Sequence, residues 1–477
     1  MALHLSHPSS TVPTAVSQTS KASVLNSASI MDVPLLPNDW PFPDLKEASA
    51  FDVDPRTGFM ASQPPLRRLP APWDVWESAL DDAVDSKLQL GDVIDITEDE
   101  KTCSECWRAR VRNISVIPTV ELKTPALLRR AHLVLTFVQH FYIQSLPPTV
   151  EPIVIPRSVA LPLLRVSKSL DIPPVLTFSD TVLYNWYIDP AKDKDGLPNP
   201  ENVRTHTMFT NTIDEEEFYL CSSRIELRGV EALELMRMTM DEMFVGDHIS
   251  IRRISAYLKG MVTVINDCRA LLLDVKKHCR PDVYYNNVRP WFRGQDSDNR
   301  NRQWIFEGVE EDPTLRPPTE ISGPSAGQSS MVHAFDIFLG VDHSSVQFQP
   351  SFMSRMQIYM PRNHRLFLDH LKANSRSLRS FVLTSKDEEL TKVYNQAVMA
   401  LKEFRDSHMV ITTLYVIGPA RRAAKAREGI EGVPAYNNPS VVGTFTDGPL
   451  KGTGGTELVQ FLKDTRTRTI EAFVSES

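Results

Sequence analysis

Four groups of residues in this 477-residue chain have types and spacings that could do chemistry. His408 follows Phe404 by four positions and precedes Ile411 by three, which sets an imidazole on an otherwise apolar helical stripe. Such an imidazole is either a hydrogen-bonded core histidine or a neutral axial ligand to a metal or haem iron, fixed on a rigid element. Arg289 stands among Val288, Pro290, Trp291 and Phe292, where a guanidinium wants a carboxylate, supplied by a structural acid or by a ligand. Cys103-Ser-Glu-Cys106 has the spacing of half a zinc or redox site, but no second pair follows at finger spacing. Gly452-Thr-Gly-Gly-Thr456 looks like a phosphate cradle, yet it has neither the lysine nor the spacing of a P-loop.

The elements that must position these residues read as helices. From Glu388 onward, Leu390, Val393, Tyr394, Ala397, Val398, Leu401 and Phe404 recur every three or four positions, and Gly418-Pro419 is expected to end that helix. Arg405 lies on the side of His408 and can pair with an anionic ligand group or with Asp336, a carboxylate in the apolar run Ala-Phe-Asp-Ile-Phe-Leu-Gly that needs a partner. Thr124-Pro125 opens a long amphipathic helix, in which His132 and His140 read as structural or surface residues. A helix from Val159 stops before Pro173-Pro174, and a second helical segment from about Leu176 carries Phe178, Thr181 and Val182. Thr456 is the expected N-cap of a C-terminal helix, and the charged, then Gly/Pro/Asn-rich stretch 420–450 reads as a mobile connection. Residues 1–30 read as a disordered tail and 33–72 as a proline-punctuated strap.

Composition narrows the function classes. The formal net charge of -8 argues against nucleic acid or an anionic membrane as main partner, and no apolar run approaches a membrane span. Five scattered cysteines fit a reducing, cytoplasmic setting better than a disulfide framework.

Six ordered blocks carry a resemblance. Val159 to Pro190, with its Leu-Asp-Ile-Pro-Pro-Val-Leu core, is followed by EEFYLCSSRIELRGVEAL (216–233), VYYNNVRPWFRG (283–294), SGPSAGQSSMVHAFDIFLGV (322–341), MSRMQIYMPRNHRLFLDHL (353–371) and KGTGGTELVQFLKDTRTRT (451–469). In this order, with His408 between the last two, the chain resembles the indoleamine 2,3-dioxygenase family, in its fungal form.

The resemblance implies a mainly α, two-domain haem protein: a smaller, mixed N-terminal domain over 31–205 and a larger all-helical haem-binding domain over 206–477. It implies haem b held by His408 as proximal iron ligand, with Arg405, Asp336, Ser325 and Ala326 at the cofactor. Phe178, Thr181, Val182, Phe218, Tyr219, Tyr284, Ala326, Thr453 and Gly454 would surround the substrate. Arg289 would hold its carboxylate, and Ser222 and Ser325 would shape the oxygen site. The implied reaction is cleavage of the indole C2–C3 bond of L-tryptophan by O2 to give N-formylkynurenine, in a monomer served by an external electron donor. The alternative is a haem protein that binds oxygen or senses redox state without efficient tryptophan turnover. One departure bears on this choice: Pro324 stands where the family has a second glycine, so the loop loses a backbone N–H.

Overall fold

The computed structural model describes residues 51–475 apart from 94, 299, 301, 344–350, 375–376, 429–450, 454 and 456. The expectations for the tail 1–30, for strap residues 33–50, for 429–450, and for Gly454 and Thr456 lie outside the described residues. Twelve helices of eight residues or more dominate what is described. α1 spans Asp74–Asp85, and α2 (Glu98–Asn113) opens on a capping box between Thr97 and Glu100. α3 (Pro125–Gln144) starts as expected, with Thr124 Oγ1 accepting from Leu127 N at 3.3 Å and proline in the first turn. It is buried from Arg130 to Ile143, so its apolar residues have no solvent face to spare.

α4 (Arg157–Leu170) ends at Asp171, whose φ of 54° puts it in the left-handed region ahead of the two prolines. The second helix expected from about Leu176 shrinks to one π turn, Ser179–Leu183. Asp180 draws the chain back at its start, accepting from Thr177 N at 2.9 Å and from Thr177 Oγ1 at 2.7 Å. Trp186 then leaves in β2 (Trp186–Ile188), which pairs antiparallel with β3 (Val203–Thr205). A second small sheet joins β1 (Ile153–Ile155) in parallel to β4 (Trp304–Phe306).

The long helices form the frame around the site. α5 (Ile213–Val245) carries Asp214, Glu215 and Glu216 in its first turn, where negative charge suits the helix dipole, and stops at Gly246 with φ 68°. α6 (His248–Asp274) packs on α5 and on α10 (Glu388–Thr412), and α10 also packs on α12 (Leu458–Glu471). α7 (Ser330–Phe338) contacts α8 (Arg362–Asn374), and α9 (Leu378–Ser385) leads into α10.

The helix of His408 does not end at Gly418-Pro419. After Thr412 it widens into a π turn, Thr413–Ile417, and Gly418 begins α11 (Gly418–Glu428). Pro419 falls in the first turn of α11, where its missing N–H costs nothing. Residues 420–428 of the expected connection are therefore helical. At α12 the capping position is held by Glu457. Among the described residues no helix is long and apolar enough to cross a membrane.

Candidate functional site

Two adjoining cavities, about 160 and about 170 Å³, open between α5, α10, α12 and the loops 284–292 and 323–329. His408 lines both. Its imidazole is kept neutral, with its pKa brought down to about 4 by burial and by the neighbouring Arg405 charge. No described residue hydrogen-bonds to either ring nitrogen, and the walls beside it, Phe404, Ile411, Leu272 and Val275, are apolar. Most core histidines spend those nitrogens on protein partners. His132 and His140 have done so. His132 Nδ1 meets Asp180 at 2.7 Å, and His140 Nδ1 donates to the Trp291 carbonyl at 2.7 Å.

Arg405 lines the first cavity beside His408. Its guanidinium donates to Asp336 and to Thr469 Oγ1. Asp336 itself lines neither cavity: its other oxygen meets His343 Nε2 at 2.7 Å. Burial raises the Asp336 pKa, but Arg405 and His343 outweigh it and hold the carboxylate at about 2. Asp336 therefore reaches the cavity only through Arg405.

The second cavity collects the other sequence candidates. The π turn after Phe178 supplies Thr181 and Val182, α5 supplies Phe218, Tyr219 and Ser222, and the π turn Tyr284–Val288 supplies Tyr284. Phe218 and Tyr284 meet at a 34° tilt with centroids 4.3 Å apart, and Tyr415, from the π turn that follows α10, meets Tyr284 edge-on at 5.7 Å. Three π turns thus border one cavity, each inserting a wider turn that redirects its side chains. Ser222 lines both cavities, and its hydroxyl makes no hydrogen bond to a described residue.

Arg289 is 7 % exposed, and its Nη2 donates to the Lys451 carbonyl at 3.0 Å. Desolvation lowers its pKa, and no described carboxylate pairs with it. The loop 323–326 is tied to the C-terminal segment by two bonds: Gly323 N donates to the Thr453 carbonyl at 3.1 Å, and Thr453 Oγ1 donates to the Pro324 carbonyl at 2.7 Å. Pro324 thus keeps the loop's acceptor although it removes a donor. Ser325 Oγ accepts from Gly327 N at 3.2 Å and shapes the turn that exposes Ala326 to both cavities.

Sequence reasoning missed several wall residues, Phe292, Phe404 and Phe461 among them, because aromatic side chains carry no sign distinguishing wall from core. It also missed Glu226 on α5, one helical turn beyond Ser222. This carboxyl is 1 % exposed, accepts from Ser329 Oγ at 2.6 Å, and leaves Oε2 without a partner. Burial pushes its pKa up to about 7. The signal for it was an acid between Ile225 and Leu227.

Comparison with known proteins places the chain in a family. The sequence model described as indoleamine 2,3-dioxygenase matches residues 47–472. The chain is 31 % identical over 368 residues to human indoleamine 2,3-dioxygenase 2, covering 77 % of this chain and 84 % of that one. It is 30 % identical to the Saccharomyces cerevisiae indoleamine 2,3-dioxygenase, covering 90 % and 94 %, and 28 % identical to the Aspergillus nanangensis enzyme nanC, covering 89 % and 97 %. With a match spanning nearly its whole length, the chain belongs to the indoleamine 2,3-dioxygenase family and is an oxidoreductase of the dioxygenase class.

Proposed function

We propose that the protein binds haem b through His408 and uses it to cleave the indole C2–C3 bond of L-tryptophan with O2, giving N-formylkynurenine. The observation that carries this reading is the neutral, unpartnered imidazole at the junction of two largely apolar cavities. Among the described residues no three His, Cys, Asp or Glu side chains cluster to hold a bare metal ion. A single imidazole therefore suits an iron whose remaining positions are filled mainly by a macrocycle. The cavity walls fit such a group: apolar side chains on two sides, with the Arg405 guanidinium available to an anionic edge. When bound, the haem supplies the site at which O2 is held and activated.

The chain's own residues would do the rest. Arg289, buried without a carboxylate of its own, would take the carboxylate of the amino acid. Phe178, Phe218 and Tyr284 would clamp the indole ring, and Thr181 and Val182 would bound its far side. Ser222 and Ser325, both on the cavity lining, would set the polarity around O2. Thr453, bonded to Pro324, would keep the C-terminal segment closed over the cavity and exclude water. Tryptophan and O2 combine without loss of atoms, so the reaction needs no co-substrate. An external electron donor would keep the iron ferrous.

The test is product formation by purified, haem-loaded and reduced protein given L-tryptophan in air. Accumulating N-formylkynurenine is expected. A normal haem spectrum with no product would instead favour an oxygen- or redox-sensing role.

A further inference from the structure

Phe178, on the wall of the second cavity, and Gly323, which begins the loop whose residues 324–327 line it, are held in register by one side chain. Gln328 is 1 % exposed, on the turn Ala326–Gln328. Its Oε1 accepts from Phe178 N at 2.8 Å, and its Nε2 donates to the Gly323 carbonyl at 2.9 Å. Phe178 N immediately precedes the π turn Ser179–Leu183, where backbone N–H groups lack partners inside the turn. The Gly323 carbonyl belongs to the loop that presents Ser325 and Ala326. From Gly323 the chain of bonds continues through Thr453, and two residues before it the Lys451 carbonyl accepts from Arg289.

We infer that Gln328 is a positioning residue of the substrate cavity, setting the spacing between the Phe178 wall and the 323–326 loop, and through that loop the C-terminal segment that Arg289 grips. The requirement is for one acceptor and one donor on a single buried, uncharged side chain at glutamine length. A carboxylate would turn an oxygen on the Gly323 carbonyl, and an apolar side chain would leave a buried N–H and C=O unpaired. Gln328 lines neither cavity and does not touch the substrate space directly. Its effect is on where the walls stand, so it should show more strongly in tryptophan affinity than in haem retention, which rests on His408.

This inference rests on the tryptophan-oxidising reading above. Failure of that reading would appear in the wild type as absence of product. Failure of this inference would appear only in variants of a wild type that turns over. Gln328→Met keeps the shape and removes both bonds. It is expected to fold with a lowered melting temperature and a wild-type Soret band, while raising KM for L-tryptophan at least tenfold, with a smaller change in kcat. The dissociation constant from spectral titration should move with KM. Gln328→Glu restores both bonds only when its carboxyl is protonated, so its KM should fall towards wild type as pH is lowered from 9 to 6. A folded, haem-loaded Gln328→Met with wild-type KM overturns the proposal, as does a parallel loss of haem and affinity. Should the Met variant not fold, Gln328→Glu decides: a KM in constant ratio to wild type at pH 6 and pH 9 overturns it.

Discussion

At the scale of single residues, the site depends on buried polar groups with few partners among the described residues. Arg289 has a carbonyl but no carboxylate among the described residues, which suits the proposed pairing of its charge with a ligand. Arg289→Ala should raise KM for L-tryptophan by about ten- to a hundredfold, the range of one charge-assisted bond, while haem content stays constant. Equal loss of haem and affinity would contradict the assignment. Glu226 makes a prediction about stability. In the folded protein it keeps its proton to about pH 7, against an ordinary 4.5. Between those values only the folded state binds the extra proton, so stability falls as pH rises through that window and stays reduced above it. Glu226→Gln removes the penalty. It should be more stable than wild type by up to about 3 kcal/mol at pH 8, with the difference shrinking towards pH 4.5. Unfolding curves at pH 5 and pH 8 measure this, and a pH-independent difference would refute it. Neither the lack of a described carboxylate beside Arg289 nor the unpaired Oε2 of Glu226 is legible in the sequence. Each residue's neighbours in the chain were visible, but the absence of a partner is a fact about the whole fold.

At the scale of elements, the helices were largely legible and the irregular turns were not. The stripe from Leu390 to Phe404 and the Thr124-Pro125 start follow from local periodicity and capping, and α10 and α3 formed accordingly. The π turns left no such trace, since one extra residue per turn scarcely disturbs an apolar pattern. Thus Gly418-Pro419 read as a stop and is instead the start of α11. The tight meeting of loops is similarly non-local. A Cβ on Gly323 would lie 2.0 Å from the Phe292 carbonyl oxygen, a backbone atom that cannot swing aside. Gly323→Ala should therefore push the 323–326 loop off its seat. The expected cost is about 1–3 kcal/mol of stability together with weakened tryptophan binding. A folded variant with unaltered melting and KM would show that the loop yields more easily than its contacts imply.

At the scale of the molecule, the site is made by segments that are far apart in the chain. The Phe178 turn, α5, the 284–292 turns, the 323–329 loop, α10 and α12 each contribute part of the lining. No single segment announces the site, and sequence alone left His408 open between core residue and ligand. The order of the six blocks favoured the ligand, and the folded chain leaves both ring nitrogens of His408 without described partners at the cavity junction. The residues carried over from the resemblance converge on these two cavities, apart from Asp336, which acts through Arg405, and Gly454, which lies outside the described residues. The most direct test is the absorption spectrum of ferrous, haem-reconstituted protein with and without L-tryptophan, for wild type and His408→Ala. A Soret band that shifts on adding tryptophan in the wild type, and that is lost in the variant, is the predicted result. An unchanged band in His408→Ala, or a wild-type spectrum indifferent to tryptophan, would contradict the account.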